Sequence, residues 1–271
     1  MPELPEVEVT RRALLEPLLG SRVVGAATGK ALRWPLQCEP ASLAGQRVER
    51  LDRRGKYLLL GLQHGLLIIH LGMSGSLRWH AGAAPAPSGP HEHFRLFTDR
   101  GELRLHDPRR FGAVIWHAGD AAAHPLLRHL GPEPLQPGFD GLALWRAIHG
   151  RRAAIKLLLL DQSVVAGVGN IYACEALFAA AIDPRTAGQR LSRARCERLA
   201  QALRSTLEQA VRAGGSTLRD FCSSDGTPGH FQLQARVYGR AGQPCSQCAT
   251  PLRHLQQGQR SSYFCPRCQR R

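Results

Sequence analysis

The sequence predicts an α+β multidomain protein: an N-terminal β-sandwich with flanking helices, a helical second half, and a small zinc-ribbon hairpin at the C-terminal end. Three observations carry that reading. Short apolar runs broken by Gly, Pro and Asp turns occupy the stretch from Lys56 to Trp116, a spacing that suits a sandwich. Beyond a Pro- and Gly-rich break over 131–138 the apolar spacing becomes helical. Near the end, Cys245/Cys248 and Cys265/Cys268 form two C-x-x-C pairs with 16 residues between them, the pattern of a four-thiolate zinc site.

Taken in order, Leu4, Val7, Leu14, Leu15 and Leu18 recur at helical spacing, and Pro17 to Gly20 closes that helix. The runs Lys56 to Leu60 and Leu66 to His70 flank a Gly-bounded turn and predict buried strands, with further short strands over 94–98, 102–106 and 113–116. Two loops hold large side chains among residues that turn tightly: Leu71-Gly72-Met73-Ser74-Gly75 and Asp107-Pro108-Arg109-Arg110-Phe111-Gly112. Met73, Arg109 and Phe111 could project from the sheet edges; isolated Met and Phe side chains also serve as core plugs. The tract over 81–90 reads as a loop without chemistry. Helices are expected over 142–149, 153–161, 171–181 and 192–213. The turn Gly167-Val168-Gly169-Asn170 places Asn170 to cap the helix from Ile171, leaving backbone N–H groups for a phosphate. A plain connector between helices fits the same residues.

Length and charge narrow the function. At 271 residues and 43% hydrophobic content the chain suits a soluble protein with two cores. It has no run of about 18 apolar residues and no basic-then-apolar leader, so a cytoplasmic protein is expected. Lys+Arg 36 against Asp+Glu 21 gives a formal charge of +15, which favours a polyanionic partner, nucleic acid before a membrane surface. From Arg236 to the end there are arginines and no acidic residue. Only Lys30, Lys56 and Lys156 are lysines; the latter two lie in apolar stretches, where a compact ammonium is informative. The remaining cysteines, Cys38, Cys174, Cys196 and Cys222, are expected as buried free thiols in a reducing compartment.

The first eight residues, Met1-Pro2-Glu3-Leu4-Pro5-Glu6-Val7-Glu8, have two readings. They make a good helix start, with proline early and acids near the positive end of the dipole. If Met1 is removed, Pro2 is also a free secondary amine beside the Glu3 carboxylate. A terminal amine has a reference pKa of about 8 against about 10.4 for lysine, so more of it is unprotonated at neutral pH and able to attack an electrophilic carbon.

PELPEVEV, GKYLLL, HLGMSG, DPRRFG, the AIK stretch, VAGVGNIYACEALF, SDGTPGHF and the terminal cysteine pairs together resemble the formamidopyrimidine-DNA glycosylase family, in its order and over the whole chain. The resemblance implies a catalytic β-sandwich over 1–130, a linker over 131–138, a helix-two-turn-helix domain over 139–235 and a zinc finger over 236–271. It implies Pro2 as imine-forming nucleophile, Glu3 as proton carrier, and Glu6 as support for the terminus. Lys56, His70, Asn170 and Arg260 are implied as phosphate-gripping residues, and Met73, Arg109 and Phe111 as the trio filling the space left by an everted base. Lys156 is implied near the lesion, and Ser223 to Gly229 as a loop closing over it. His230 and the run Gln232 to Ala235 depart from the family pattern and put the fine base preference in doubt. The implied activity is excision of oxidised purines from double-stranded DNA followed by β,δ-elimination, by a monomer with one structural Zn2+ and no nucleotide or redox cofactor. The related endonuclease VIII, acting on oxidised pyrimidines, and a non-catalytic zinc-ribbon DNA-binding protein are the alternatives; Leu4 and DPRRFG favour the purine enzyme.

Overall fold

The computed structural model describes residues 1–82, 87–216 and 234–271. They form two compact units, Met1–Arg128 with the segment beginning at Ala213, and His129–Arg212 with the chain's end through Arg271.

The first unit opens with helix α1, Leu4–Leu18, whose start is set by a capping box between Glu3 and Glu6 and a proline in its first turn. Eight strands follow: β1 (Val23–Thr28), β2 (Val48–Arg54), β3 (Tyr57–Leu62), β4 (Gly65–His70), β5 (Ser76–Ala81), β6 (Glu92–Thr98), β7 (Gly101–His106) and β8 (Ala113–His117). They make two four-stranded antiparallel sheets, ordered β1-β6-β7-β5 and β2-β3-β4-β8. Leu58, Leu60, Leu67 and Ile69 from one sheet meet Leu77, Phe94, Leu96, Leu103 and Leu105 from the other, and Val7, Leu14 and Leu18 of α1 join the same cluster. The expected sandwich is therefore present. β1, β2 and β5 add to the expected strands, and all three lie at sheet edges. β2 and β5 carry polar side chains along much of their length, and β1 is a run of Val, Gly, Ala and Thr, so none of the three offers a continuous run of large apolar side chains.

The second unit holds α2 (Gly141–Ile148), α3 (Ile155–Leu160), α4 (Asn170–Ala179), α5 (Arg193–Arg212) and the hairpin β9 (Arg253–Gln257) and β10 (Arg260–Phe264). Asp140 caps α2, its Oδ1 accepting from the Ala143 N–H at 2.7 Å. The segment expected as a linker is hydrogen-bonded to the helical unit: Gly131 donates to Gln162 O in the turn after α3 at 2.8 Å, and Arg204 of α5 donates to Gln136 O at 3.2 Å. Cys174 and Phe178 of α4 share a buried cluster with Val237, Cys245, Leu252 and Cys265, so the metal module is seated on this helix. Cys38 is only half-buried, whereas Cys174 and Cys196 are buried thiols as expected. Among the described residues, no helix is long and apolar enough to cross a membrane.

One buried acid fastens α1 to the β2-β3-β4-β8 sheet. Glu8 accepts from Arg11 at 2.9 Å, Arg12 at 2.8 Å and Arg53 of β2 at 3.1 Å, and Arg53 also donates to Gly55 O at 3.1 Å. Burial alone would raise the Glu8 pKa, but the hydrogen bonds from Arg11 and Arg12 and the charges of Arg11 and Arg53 bring it to about 2. A carboxyl depressed by folding contributes stability that is complete above its ordinary value of 4.5 and is lost as pH falls towards 2. Glu8→Gln is therefore expected to lower stability at pH 7 by on the order of 3 kcal/mol and to flatten the decline of stability below pH 4.5. Urea midpoints of both proteins across pH 3–7 check this; parallel acid limbs would show that Glu8 is not the responsible group.

Candidate active site and metal centre

The N-terminal residues are held from several sides. Pro2 and Glu3 are buried at the head of α1. Glu6, 1% exposed, accepts from the Glu3 N–H through Oε2 at 2.8 Å. Its Oε1 accepts from the Ser216 N–H at 2.7 Å and the Ser216 hydroxyl at 3.0 Å. A Cβ on Gly215, whose φ is +80°, would lie 3.0 Å from that oxygen, so a side chain there would crowd the carboxylate. Both readings of the terminus are compatible with this structure: a capped helix start also presents the Pro2 nitrogen from a rigid element.

Lys56 follows Gly55, which takes a positive φ of 56° in the turn between β2 and β3. His70 lies at the end of β4, paired with Tyr57, with ring centroids 4.9 Å apart. Its Nδ1 accepts from the Gly72 N–H at 3.0 Å, so the neutral ring carries its proton on Nε2. Burial and the positive charges of Lys56 and Arg33 push its pKa down to about 4, against a smaller opposing effect of Asp107. Arg33 was missed by sequence reasoning, because nothing in its local pattern relates it to a strand end far along the chain.

The two loops carry their large side chains outward. Phe111 is 43% exposed, the Arg109 guanidinium lies over its ring at 5.2 Å, and Met73 is half-buried. The core-plug reading fails for Phe111. The two loops touch: a Cβ on Gly72, at φ +63°, would come within 2.4 Å of the Phe111 carbonyl carbon.

In the second unit the hairpin is placed by side chains from two helices. Lys156 of α3 is 0% exposed; its ammonium donates to Ser261 O and Ser262 Oγ, each at 2.7 Å. A direct lesion contact by Lys156 does not fit this burial; the side chain instead fixes β10, which begins with Arg260. Asn170 also departs from expectation. It is the first residue of α4, with Gly169 as N-cap, and its Nδ2 donates to the same Ser261 carbonyl at 3.0 Å. The preceding turn is folded by Gln162, which accepts from the Gly167 N–H at 2.8 Å and donates to Val168 O at 2.9 Å. Arg260 is exposed at the hairpin tip, after a two-residue turn in which Gly258 and Gln259 both take positive φ. Glu175 is a further residue the sequence reading passed over. Buried in α4, it accepts from the N–H groups of Arg236, Val237 and Tyr238 at 2.8–3.0 Å. The signal was there: a lone acid in an apolar helix needs partners.

The four thiolate positions converge. The sulfurs of Cys245, Cys248, Cys265 and Cys268 lie within 4.8 Å of one another, with Cys248–Cys265 at 3.5 Å and Cys245–Cys268 at 3.9 Å. A tetrahedral zinc with Zn–S of about 2.3 Å requires sulfurs about 3.8 Å apart, so the residues fit one Zn2+. Four thiolates leave no position for a catalytic water, and the metal is structural. The expected loop Ser223 to Gly229, His230 and Gln232 lie outside the described residues. Replacing Cys245 or Cys268 by Ser should release the metal and expose the β9–β10 hairpin to rapid amide exchange while the sandwich keeps its protection. Zinc titration with a chromophoric chelator and hydrogen exchange check this; retained protection at Arg260–Phe264 in a metal-free variant would contradict it.

Comparison with known proteins agrees with this architecture. Residues 1–114 match the formamidopyrimidine-DNA glycosylase N-terminal domain, 130–222 the H2TH domain of the same family, and 242–271 a zinc finger found in FPG and IleRS. The chain is 59% identical over 272 residues to a formamidopyrimidine-DNA glycosylase of Acidovorax sp. (strain JS42), covering 100% of both. Among solved structures it is similar to the MutM (Fpg) protein of Thermus thermophilus, with 41% identity and a TM-score of 0.88 over 99% of this chain and 98% of that one. It is also similar to a Lactococcus lactis Fpg mutant in complex with DNA containing Fapy-dG, with 31% identity and a TM-score of 0.89 over 100% of both chains. With all three domain types present in order and full-length identity at this level, the chain belongs to the formamidopyrimidine-DNA glycosylase family.

Proposed function

We propose that this protein excises oxidised purines from duplex DNA and then cleaves the abasic strand by β,δ-elimination, with the amine of Pro2 as nucleophile. The observation that carries the reading is the terminus: Pro2 stands at the head of a helix whose first turn is locked by Glu6, with Glu3 buried next to it. The Pro2 nitrogen bonds to C1′ of the damaged nucleotide, and the glycosidic electrons leave with the base. Glu3 carries the protons that open the sugar and neutralise the leaving base. Loss of a C2′ proton from the resulting imine expels the 3′ phosphate, and a second elimination expels the 5′ phosphate. The purine class is supported by full-length relatives named formamidopyrimidine-DNA glycosylase and by the Lactococcus mutant bound to Fapy-dG-containing DNA; the wild-type Lactococcus protein is also known bound to DNA containing an oxidised pyrimidine.

Before chemistry the base must leave the stack, and Met73, Arg109 and Phe111 fill the space it vacates. Lys56, Asn170, Arg260 and the Nε2–H of His70 take phosphates. Lys156 acts through the hairpin. The protein works as a cytoplasmic monomer and requires no nucleotide cofactor.

The chain carries Met1, and while Met1 is attached the Pro2 nitrogen is an amide with no available lone pair. A chain proven by mass to retain Met1 should bind abasic DNA yet form no adduct on borohydride reduction, whereas the processed chain should be trapped through Pro2. Pro2→Gly keeps a terminal amine and should retain part of the elimination chemistry with slower base excision. Adduct mapping by mass spectrometry decides; full trapping with Met1 in place would move the nucleophile to a lysine such as Lys56.

Arg260→Ala should weaken binding to damaged and undamaged duplexes alike and reduce the slope of log K against log salt by about 1. Binding titrations at several salt concentrations test it, and an effect confined to one lesion would argue against a phosphate contact.

A further inference from the structure

We propose that Asp107 is a positioning residue for base eversion: one buried carboxylate takes a hydrogen bond from each of the two intruding loops and sets Met73 and the Arg109–Phe111 pair at a fixed separation. This rests on the reading of those three side chains given above.

Asp107 is 0% exposed. Its Oδ1 accepts from the Ser74 hydroxyl at 2.7 Å and its Oδ2 from the Gly112 N–H at 2.7 Å. Ser74 directly follows Met73, and Gly112 directly follows Phe111, so each oxygen holds the residue adjoining one intruding side chain. Asp107 is itself anchored, since its N–H donates to His91 O at 2.8 Å and its carbonyl accepts from the Arg110 N–H at 3.2 Å. The loops have no slack between them. A Cβ on Gly72 would lie 2.5 Å from Gly112 N, and one on Gly112 would lie 3.0 Å from Asp107 Oδ2.

A carboxylate is removed from water at considerable cost unless both oxygens are satisfied. Here the two donors come from different loops, so satisfying the acid and fixing the loops are the same event. Phe111 is 43% exposed, so this clamp orders a ring that the core does not hold. A pair of side chains entering a duplex gains from such order, because rotamers and loop positions fixed beforehand need not be fixed on binding.

The test uses the full processed chain with zinc bound, comparing Asp107→Asn and Ser74→Ala with the wild type. Four quantities are read: excision of 8-oxoguanine from intact duplex, strand cleavage at a preformed abasic site, the rise in fluorescence of 2-aminopurine beside the lesion, and Tm. D107N should slow excision and the fluorescence rise at least 10-fold and S74A about 3-fold, while cleavage at the abasic site changes less than 3-fold and Tm holds. Equal losses on both substrates, or wild-type excision and fluorescence in both variants, would overturn the proposal. If D107N does not fold, S74A alone decides, since it removes one hydrogen bond and leaves the second loop intact. Met73→Ala and Phe111→Ala run in parallel separate the two readings. If they lose intact-duplex excision selectively while D107N and S74A do not, the clamp fails by itself; if they show no selective loss, the wedge reading fails and the clamp with it.

Discussion

A chain end is useful to chemistry only if it is held still, and chain ends fray. In this fold the burden falls on the Glu6 carboxylate, which closes the capping box on Glu3 and reaches Ser216 with its other oxygen. The charge also lies near the positive end of the α1 dipole, where it is stabilising. Burial of Val7, Leu14 and Leu18 in the sandwich then fixes the rest of the helix, and Glu8 joins it to the β2 arginine that braces the turn before Lys56. Under the function proposed above, the first eight residues hold the nucleophile, its proton carrier and two of the acids that keep them in register.

The second unit solves a different problem, the placing of exposed Arg260 at the tip of a short hairpin. A two-stranded hairpin is marginal alone. Here the metal cluster closes its base, α4 covers one side, and Lys156 and Asn170 meet on the Ser261 carbonyl near its tip. The choice of lysine at 156 is explained by that geometry. A single compact ammonium can donate to two oxygens at 2.7 Å inside a fully buried site, whereas a guanidinium is broad and flat. Lys30, by contrast, is exposed.

The parts of the fold legible in the sequence were those with strong local periodicity or spacing: α1, the central strands β3, β4, β6 and β7, the four main helices and the thiolate pairs. The edge strands β1, β2 and β5 were not legible, because β2 and β5 are half-polar and β1 is broken by Gly25 and small residues, leaving no run of large apolar side chains to detect. The terminus with Glu6 as its support, and Lys56, His70 and Arg260, could be named from motifs, but most of the contacts that hold the surrounding loops and hairpin could not. Asp107, Glu175 and Gln162 act through partners set by the folded chain, and Glu8 through Arg53, far along it. Asn170 shows the limit from the other side: its position at a helix start was legible, while the Ser261 carbonyl it binds, 91 residues away, was not.

His70 answers to acidity unlike a free imidazole. With a pKa pushed down to about 4, its ring stays neutral throughout the range in which free imidazoles titrate, and arginine guanidiniums stay charged throughout it. Under the function proposed above, these groups meet a phosphate backbone in one charge state across that range. A terminal secondary amine, with a reference value near 8, changes state inside that window. Under the function proposed above, grip and reactivity fall to groups that respond to different protons, one set keeping its charge state while the terminal amine changes its own.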